Sequence, residues 1–134
     1  MLPGDGKRLG NYVYVEDIVK GQILAMKHGR SGENYILGGD SVSYSELFHE
    51  IGEQSGKQHW MIPIPTWLMM GLAKFQMAKA NLLGLSPLIT PGFARKYLYD
   101  WDNSIEKARK ELHYNPLTLK EGIAKTLEWL KTTR

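Results

Sequence analysis

The 134-residue chain contains no cysteine. That absence excludes disulfide scaffolds, thiolate zinc sites, Fe–S clusters and thiol nucleophiles together, and it fits a reducing, cytoplasmic setting. Residues 1–10 hold no apolar run, so no secretory leader is expected there. Among His28, His49, His59 and His113 there is no i, i+4 pair, so a helical metal site is not expected. No serine occupies a G-x-S-x-G elbow. Gly6-Lys7-Arg8 and Gly56-Lys57-Gln58 lack the Ser or Thr that completes a phosphate loop. None of the seven tyrosines is followed by a lysine four residues later. Acid is missing from one long stretch: Gln54 to Tyr99 contains no Asp or Glu, yet holds Lys57, Lys74, Lys79, Arg95, Lys96, Trp60, Trp67, Phe75 and four of the six methionines.

What is present reads as one domain with a core. The 43% apolar and 23% charged content is that of an ordinary globular protein. A chain of 15.3 kDa should fold to roughly 7,100 Å² of surface. The net charge of +3 is small and dispersed, and no aromatic-basic motif appears, so nucleic acid is not an expected partner.

Leu2 to Gly10 reads as a turn-rich loop. Gly4-x-Gly6-x-x-x-Gly10 has the wrong spacing for a dinucleotide loop and opens onto a strand. Asn11 to Val15 is a β-former run, and Asp17 is placed to cap the helix behind it. Val19, Ile23 and Met26 give that helix an apolar stripe, and Gly29 ends it. Tyr35 to Leu37 reads as a second strand, parallel to the first through the helical crossover. Ser43 and Glu46 form a capping box for a helix that Gly56 stops. Trp60 to Ile64, with Pro63 inside it and Pro65 beyond, reads as an edge strand. Thr66 is placed to cap a helix to Leu83, about 27 Å long. Lys74 and Lys79 lie inside it, at about 3 kcal/mol each on membrane-insertion scales, so no transmembrane segment is expected. Gly84 to Pro91 breaks the chain, and Gly92 to Tyr99 forms a short helix. Asp102 is placed to cap the next helix, with Ile105, Ala108 and Leu112 on one side. Thr118 and Glu121 box the last helix. The acid pairs Glu16–Asp17 and Asp100–Asp102 sit beside helix starts, where capping explains them.

The expected fold class is α/β and predominantly helical: a small parallel β-α-β-α-β unit over 1–64, followed by four helices over 65–134, in a single domain 1–134.

Five segments in order resemble the C-terminal part of the extended short-chain dehydrogenase/reductases of the NAD-dependent epimerase/dehydratase superfamily. Asn11-Tyr-Val-Tyr-Val-Glu-Asp17 resembles its strand-then-helix "V-x-D" element. Gly32-Glu-Asn-Tyr-Ile-Leu-Gly-Gly39 resembles its last sheet strand, and Ser43 to Gly56 the helix after it. Ser104-Ile-Glu-Lys-Ala-Arg-Lys-Glu-Leu-His-Tyr-Asn-Pro116 resembles "S-x-x-K-A-x-x-E-L-G-Y-x-P", with His113 in place of the glycine. Thr118 to Leu130 resembles the closing helix. Ile64-Pro65-Thr66-Trp67-Leu68, Leu82-Leu83-Gly84 and Leu88-Ile89-Thr90-Pro91 look like the dihydroflavonol reductase and 3β-hydroxysteroid dehydrogenase side. Gly10, where sugar-nucleotide epimerases carry arginine, and the missing R-x-G-D near Thr90 to Phe93 depart from the epimerase pattern.

The resemblance implies a Rossmann-type fold whose cofactor-binding half, with its glycine loop and Tyr-x-x-x-Lys pair, lies upstream. It therefore implies an NAD(P)-dependent oxidoreductase or epimerase acting on a hydroxyl or carbonyl of a ring-containing small molecule. NAD or NADP belongs to the full-length parent, and this chain alone is expected to bind no cofactor and to be catalytically silent. Its expected partners are the small-molecule substrate, the missing N-terminal cofactor domain, and a second copy through the apolar face left exposed along Tyr35 to Leu37. The candidate substrate-binding residues are Asn11, as a hydroxyl partner, Arg95, as an anion partner, and the rings of Tyr12 and Tyr99. Trp67 and Met70 are candidate cavity walls. Two alternatives stand beside this reading: a nucleotide-sugar epimerase/dehydratase fragment, and a stand-alone binding module that uses the basic apolar 54–99 surface.

Overall fold

A computed structural model of the chain describes residues 2–57, 61–84, 86 and 90–133. Gln58, His59, Trp60, Pro87, Leu88 and Ile89 lie outside these. The elements run β1 (Leu2–Pro3), β2 (Leu9–Tyr12), α1 (Val15–His28), β3 (Asp40–Ser43), α2 (Tyr44–Ser55), β4 (Pro63–Ile64), α3 (Thr66–Leu83), α4 (Pro91–Lys96), α5 (Glu106–Leu112) and α6 (Leu119–Thr132). The predominantly helical α/β class is as expected, and so are the four helices after β4; the β-α-β-α-β order from β2 to β4 also appears, but with Asp40–Ser43 rather than Tyr35–Leu37 as its middle strand.

The strand pairing differs from expectation. β2 and β3 are antiparallel, with Leu9 opposite Ser43 and Tyr12 opposite Asp40. Tyr35 to Leu37 joins neither ladder. The Asn11 side chain accounts for the choice. Its Nδ2 donates to Gly39 O at 2.9 Å and Ser41 Oγ at 3.0 Å, and its Oδ1 accepts from Gly39 N at 3.0 Å. This clamp brings the segment after Leu37 beside β2. Tyr35 and Leu37 pack instead against the core. The Leu2–Pro3 stretch, expected as loop, pairs in parallel with β4: Leu2 N donates to Ile62 O at 3.0 Å and Gly4 N to Ile64 O at 2.9 Å.

The two capping boxes form as the sequence predicts: Glu46 N donates to Ser43 Oγ and Ser43 N to Glu46 Oε2, and Thr118 and Glu121 repeat the exchange. Three other caps do not form. Thr66 is the first residue of α3, behind Pro65, with no side-chain cap bond. Asp102 falls short of α5, which begins behind Ile105. Asp17 lies within α1, behind Tyr14, and its carboxylate reaches across the fold: it accepts from Leu117 N at 2.9 Å and Lys20 Nζ at 3.0 Å. Burial alone would raise its pKa; the Leu117 N–H and the Lys20 ammonium outweigh burial and hold the carboxyl below its ordinary value.

The core consists of Ile105, Ala108, Leu112 and Tyr114, with Leu24, Ala25, Tyr35 and Leu37 packed against it. α1 presents Gly21 to this core, where a Cβ would crowd Leu37 and Tyr114 at 2.9 Å. Tyr114 donates its hydroxyl to Gly38 O at 3.0 Å, so this buried polar group is satisfied. The apolar stripe of Val19, Ile23 and Met26 does not face the core. All three are exposed, because α1 turns Asp17, Gly21, Leu24 and Ala25 inward. The chain's surface of 9795 Å² well exceeds the roughly 7,100 Å² that its mass predicts.

Candidate functional site

A groove of about 310 Å³ opens where three segments meet: Gly4, Asp5 and Arg8 from the β1–β2 turn, Pro65, Thr66 and Trp67 at the start of α3, and Tyr97 and Leu98 after α4. The turn is fixed by Gly6 at φ +73°, where an added Cβ would strike Ser45 and Leu2. It docks on the start of α2: Ser45 N donates to Gly6 O at 3.0 Å and Tyr44 N to Arg8 O at 3.2 Å. With Glu46 N on Ser43 Oγ, the first amides of α2 are taken up by protein. This glycine turn therefore does not fit a dinucleotide pyrophosphate, which needs free helix amides.

Arg8 donates from Nη1 to Asp100 Oδ2 at 3.1 Å, while Asp100 Oδ1 accepts from Leu9 N at 3.0 Å. The Leu9 N–H, helped by Arg8, holds the Asp100 carboxyl below its ordinary value. The groove thus has a charged floor edge that is already paired. On the other side Tyr97 lines the groove and belongs to a chain of aromatic rings. Phe93 and Tyr97 meet edge to face at 5.5 Å, Tyr97 and Tyr44 at 5.1 Å, and Tyr44 and Tyr12 at 6.3 Å. Tyr12 ends the chain of rings. Its hydroxyl is buried without a hydrogen-bond partner among the described residues. Burial, with Tyr44 and Tyr97 adding to it, raises its pKa, so the phenol stays neutral. A smaller cavity of about 120 Å³ lies beyond it, between Tyr12, Tyr14, Leu47 and α6.

The four expected substrate residues do not converge. Asn11 is engaged in the β2–β3 clamp. Tyr12 closes the aromatic chain. The Arg95 and Tyr99 side chains are exposed and make no hydrogen bond or ion pair among the described residues, and the two residues flank Tyr97 and Leu98 in sequence. Trp67 lines the groove, as anticipated for a wall, whereas Met70 is half-buried and does not line it. Sequence reasoning missed Arg8, Tyr44, Tyr97 and Asp100. The i, i+4 aromatic pair Phe93–Tyr97 was the one available signal. No group of three or more His, Cys, Asp or Glu among the described residues could hold a metal ion.

No family model matches the chain. Curated proteins do, two of them as follows. A 3β-hydroxysteroid-dehydrogenase/decarboxylase, isoform 1, of Arabidopsis thaliana is 27% identical over 140 residues, covering 93% of this chain and 32% of that protein. Short-chain dehydrogenase/reductase family 42E member 1 of Bos taurus is 30% identical over 142 residues, covering 96% and 35%. The chain is a relative of the extended short-chain dehydrogenase/reductases. It spans about a third of the length of the curated relatives it matches. The crystal structure of gox2253 superposes with a TM-score of 0.73 at 25% identity, over 95% of this chain and 38% of the other. A UDP-glucuronic acid 4-epimerase from Bacillus cereus, solved in complex with NAD, superposes at 0.60 with 19% identity over 97% and 32%, which shows the Rossmann-type fold alone.

The short-chain dehydrogenase motifs carried by this chain are structural. In Val15-Glu16-Asp17 the aspartate ties α1 to the Leu117 amide. In the segment Ser104 to Pro116, Lys107 pairs with Glu33, Ala108, Leu112 and Tyr114 are core, and Glu111 accepts from Arg30 at 2.6 Å and Tyr35 Oη at 2.8 Å. His113 sits at φ +56°, in the left-handed conformation that ends α5. A glycine in the motif fits that backbone without a Cβ penalty.

Proposed function

We propose that this chain is the substrate-side domain, 1–134, of an NAD(P)-dependent oxidoreductase of the extended short-chain dehydrogenase type, and that the cofactor half belongs to the same polypeptide, N-terminal to it. The match along nearly all of this chain to a third of its relatives supports this. So does the unusually large surface, with Val15, Val19, Ile23 and Met26 left outward on α1 and Ile36 on the adjoining 35–37 segment. A cofactor domain whose sheet took in 35–37 would cover both; in its absence a second copy is the natural occupant. The groove between Arg8, Trp67 and Tyr97 is the substrate side of the pocket, with Arg95 and Tyr99 flanking its residues Tyr97 and Leu98 in sequence, Tyr12 at the end of its aromatic chain, and Asn11 positioning β2. The substrate is a ring-bearing alcohol or ketone, in line with the steroid dehydrogenase relatives, and the setting is cytoplasmic. The nucleotide and the general acid/base come from the other half; this chain shapes and dries the site.

An antibody raised against this chain, used on lysate of its source cells, should detect a band far above 15.3 kDa. A single band at that mass would overturn the proposal. On the full-length protein, a 3β-hydroxysteroid should support NAD(P)-linked turnover that a UDP-sugar does not. The reverse result would assign the site to a nucleotide-sugar epimerase.

A further inference from the structure

Helix α3 packs inside out. Its buried residues are Ala73 and Ala80, and Ala94 is the buried residue of its neighbour α4. Its large residues look outward: Leu68, Leu72, Phe75 and Leu82 follow one another at spacings of four, three and seven, which places them on one face, and Phe75 is 67% and Leu82 84% exposed. An ordinary surface helix does the reverse. Lys79 falls on the same strip and Lys74 on a flank of the helix, both exposed and without an ion pair among the described residues. Lys57, Arg95 and Lys96 carry the same sign, and the whole stretch from Gln54 to Tyr99 offers no acid.

The charge decides what covers this face. A two-fold pairing with a second copy would set Lys74 and Lys79 against the partner's own cations, with no carboxylate to relieve them. An exposed apolar surface whose only charges are basic is complementary to anionic headgroups above acyl chains. No described helix is long and apolar enough to cross a membrane. We propose that α3 lies in the plane of an anionic bilayer surface, with Leu68, Leu72, Phe75 and Leu82 in the acyl boundary and Lys74 and Lys79 extended to the headgroups.

The test is co-sedimentation of the chain with vesicles of phosphatidylcholine alone or mixed with phosphatidylserine, at low and high salt. Binding should require phosphatidylserine and weaken with salt. Lys74→Gln/Lys79→Gln, which removes no packing, should weaken binding about tenfold or more. Leu72→Gln/Phe75→Gln should do the same with an unchanged circular dichroism spectrum, while Val19→Gln/Ile23→Gln on α1 should bind like the wild type. Equal affinity for both vesicle types, no binding to either, or full binding by the α3 variants would overturn the proposal. Vesicle-independent self-association abolished by Leu72→Gln/Phe75→Gln would assign the face to a second copy instead.

Discussion

In α5 the large residues point inward, and in α3 they point outward. Ala108 and Leu112 of α5 are fully buried, and Ile105 and Tyr114, at its two ends, complete the core with Leu24 and Leu37. α3 reaches its neighbour through alanines and keeps its leucines and phenylalanine for the outside. α5 carries five charged residues in seven and still buries its apolar side, whereas the far more apolar α3 leaves its large residues outside. The difference teaches that apolar content locates a face to be covered, and only the packing shows whether this chain covers it.

The comparison is broken most easily at Leu112. Leu112→Ala removes a side chain with no exposed surface and should cost about 2–5 kcal/mol in urea unfolding; a cost no larger than that of an α3 leucine would remove the distinction. Next in size is Asp17→Asn, which takes the charge from the buried tether to Leu117 and Lys20 and should cost about 1–3 kcal/mol at neutral pH. The folded carboxyl titrates below its unfolded value. Its contribution is therefore complete above the unfolded pKa and is lost as pH falls through the folded one. Thermal melts of wild type and Asp17→Asn should converge in acid; a constant gap would mean that the charge is irrelevant. His113→Gly should raise stability by about 1 kcal/mol by relieving the left-handed backbone at the end of α5. A loss would show that the imidazole contributes more than the strain. The smallest effect belongs to α3: Leu72→Ala, half exposed, should stay within about 0.5 kcal/mol.

Local chemistry was legible in the sequence. Both capping boxes are four-residue patterns whose partners lie within one turn, and both formed. Ile105, Ala108 and Leu112 were correctly grouped on one side because helical period fixes relative orientation. Which side faces inward is not fixed by period, so the Val19, Ile23 and Met26 stripe was misjudged. Asp17 was read as a cap because its real partner, the Leu117 amide, is 100 positions away. The pairing of β2 with β3 depends on the Asn11 side chain holding Gly39, a contact that β-propensity does not encode. The groove was harder still. Trp67 could be anticipated from its place after Pro65, but Arg8 and Asp100 meet across 92 positions, and Tyr12 and Tyr97 meet only through Tyr44.

The two-residue ladder between β1 and β4 has a consequence for how copies of this chain behave when crowded. The Leu2 and Gly4 amides and the Ile62 and Ile64 carbonyls point into the ladder. By strand alternation, positions 3 and 63 turn to its two outer edges. Both are proline, so neither edge has a donor there to offer a third strand. This small sheet is capped against templated growth from either side. Residues 35–37, Tyr-Ile-Leu, carry no such block. Fibrillar or strand-swapped species, if they form in concentrated preparations, should begin at that tripeptide, and Ile36→Pro should suppress them while leaving β1 and β4 paired.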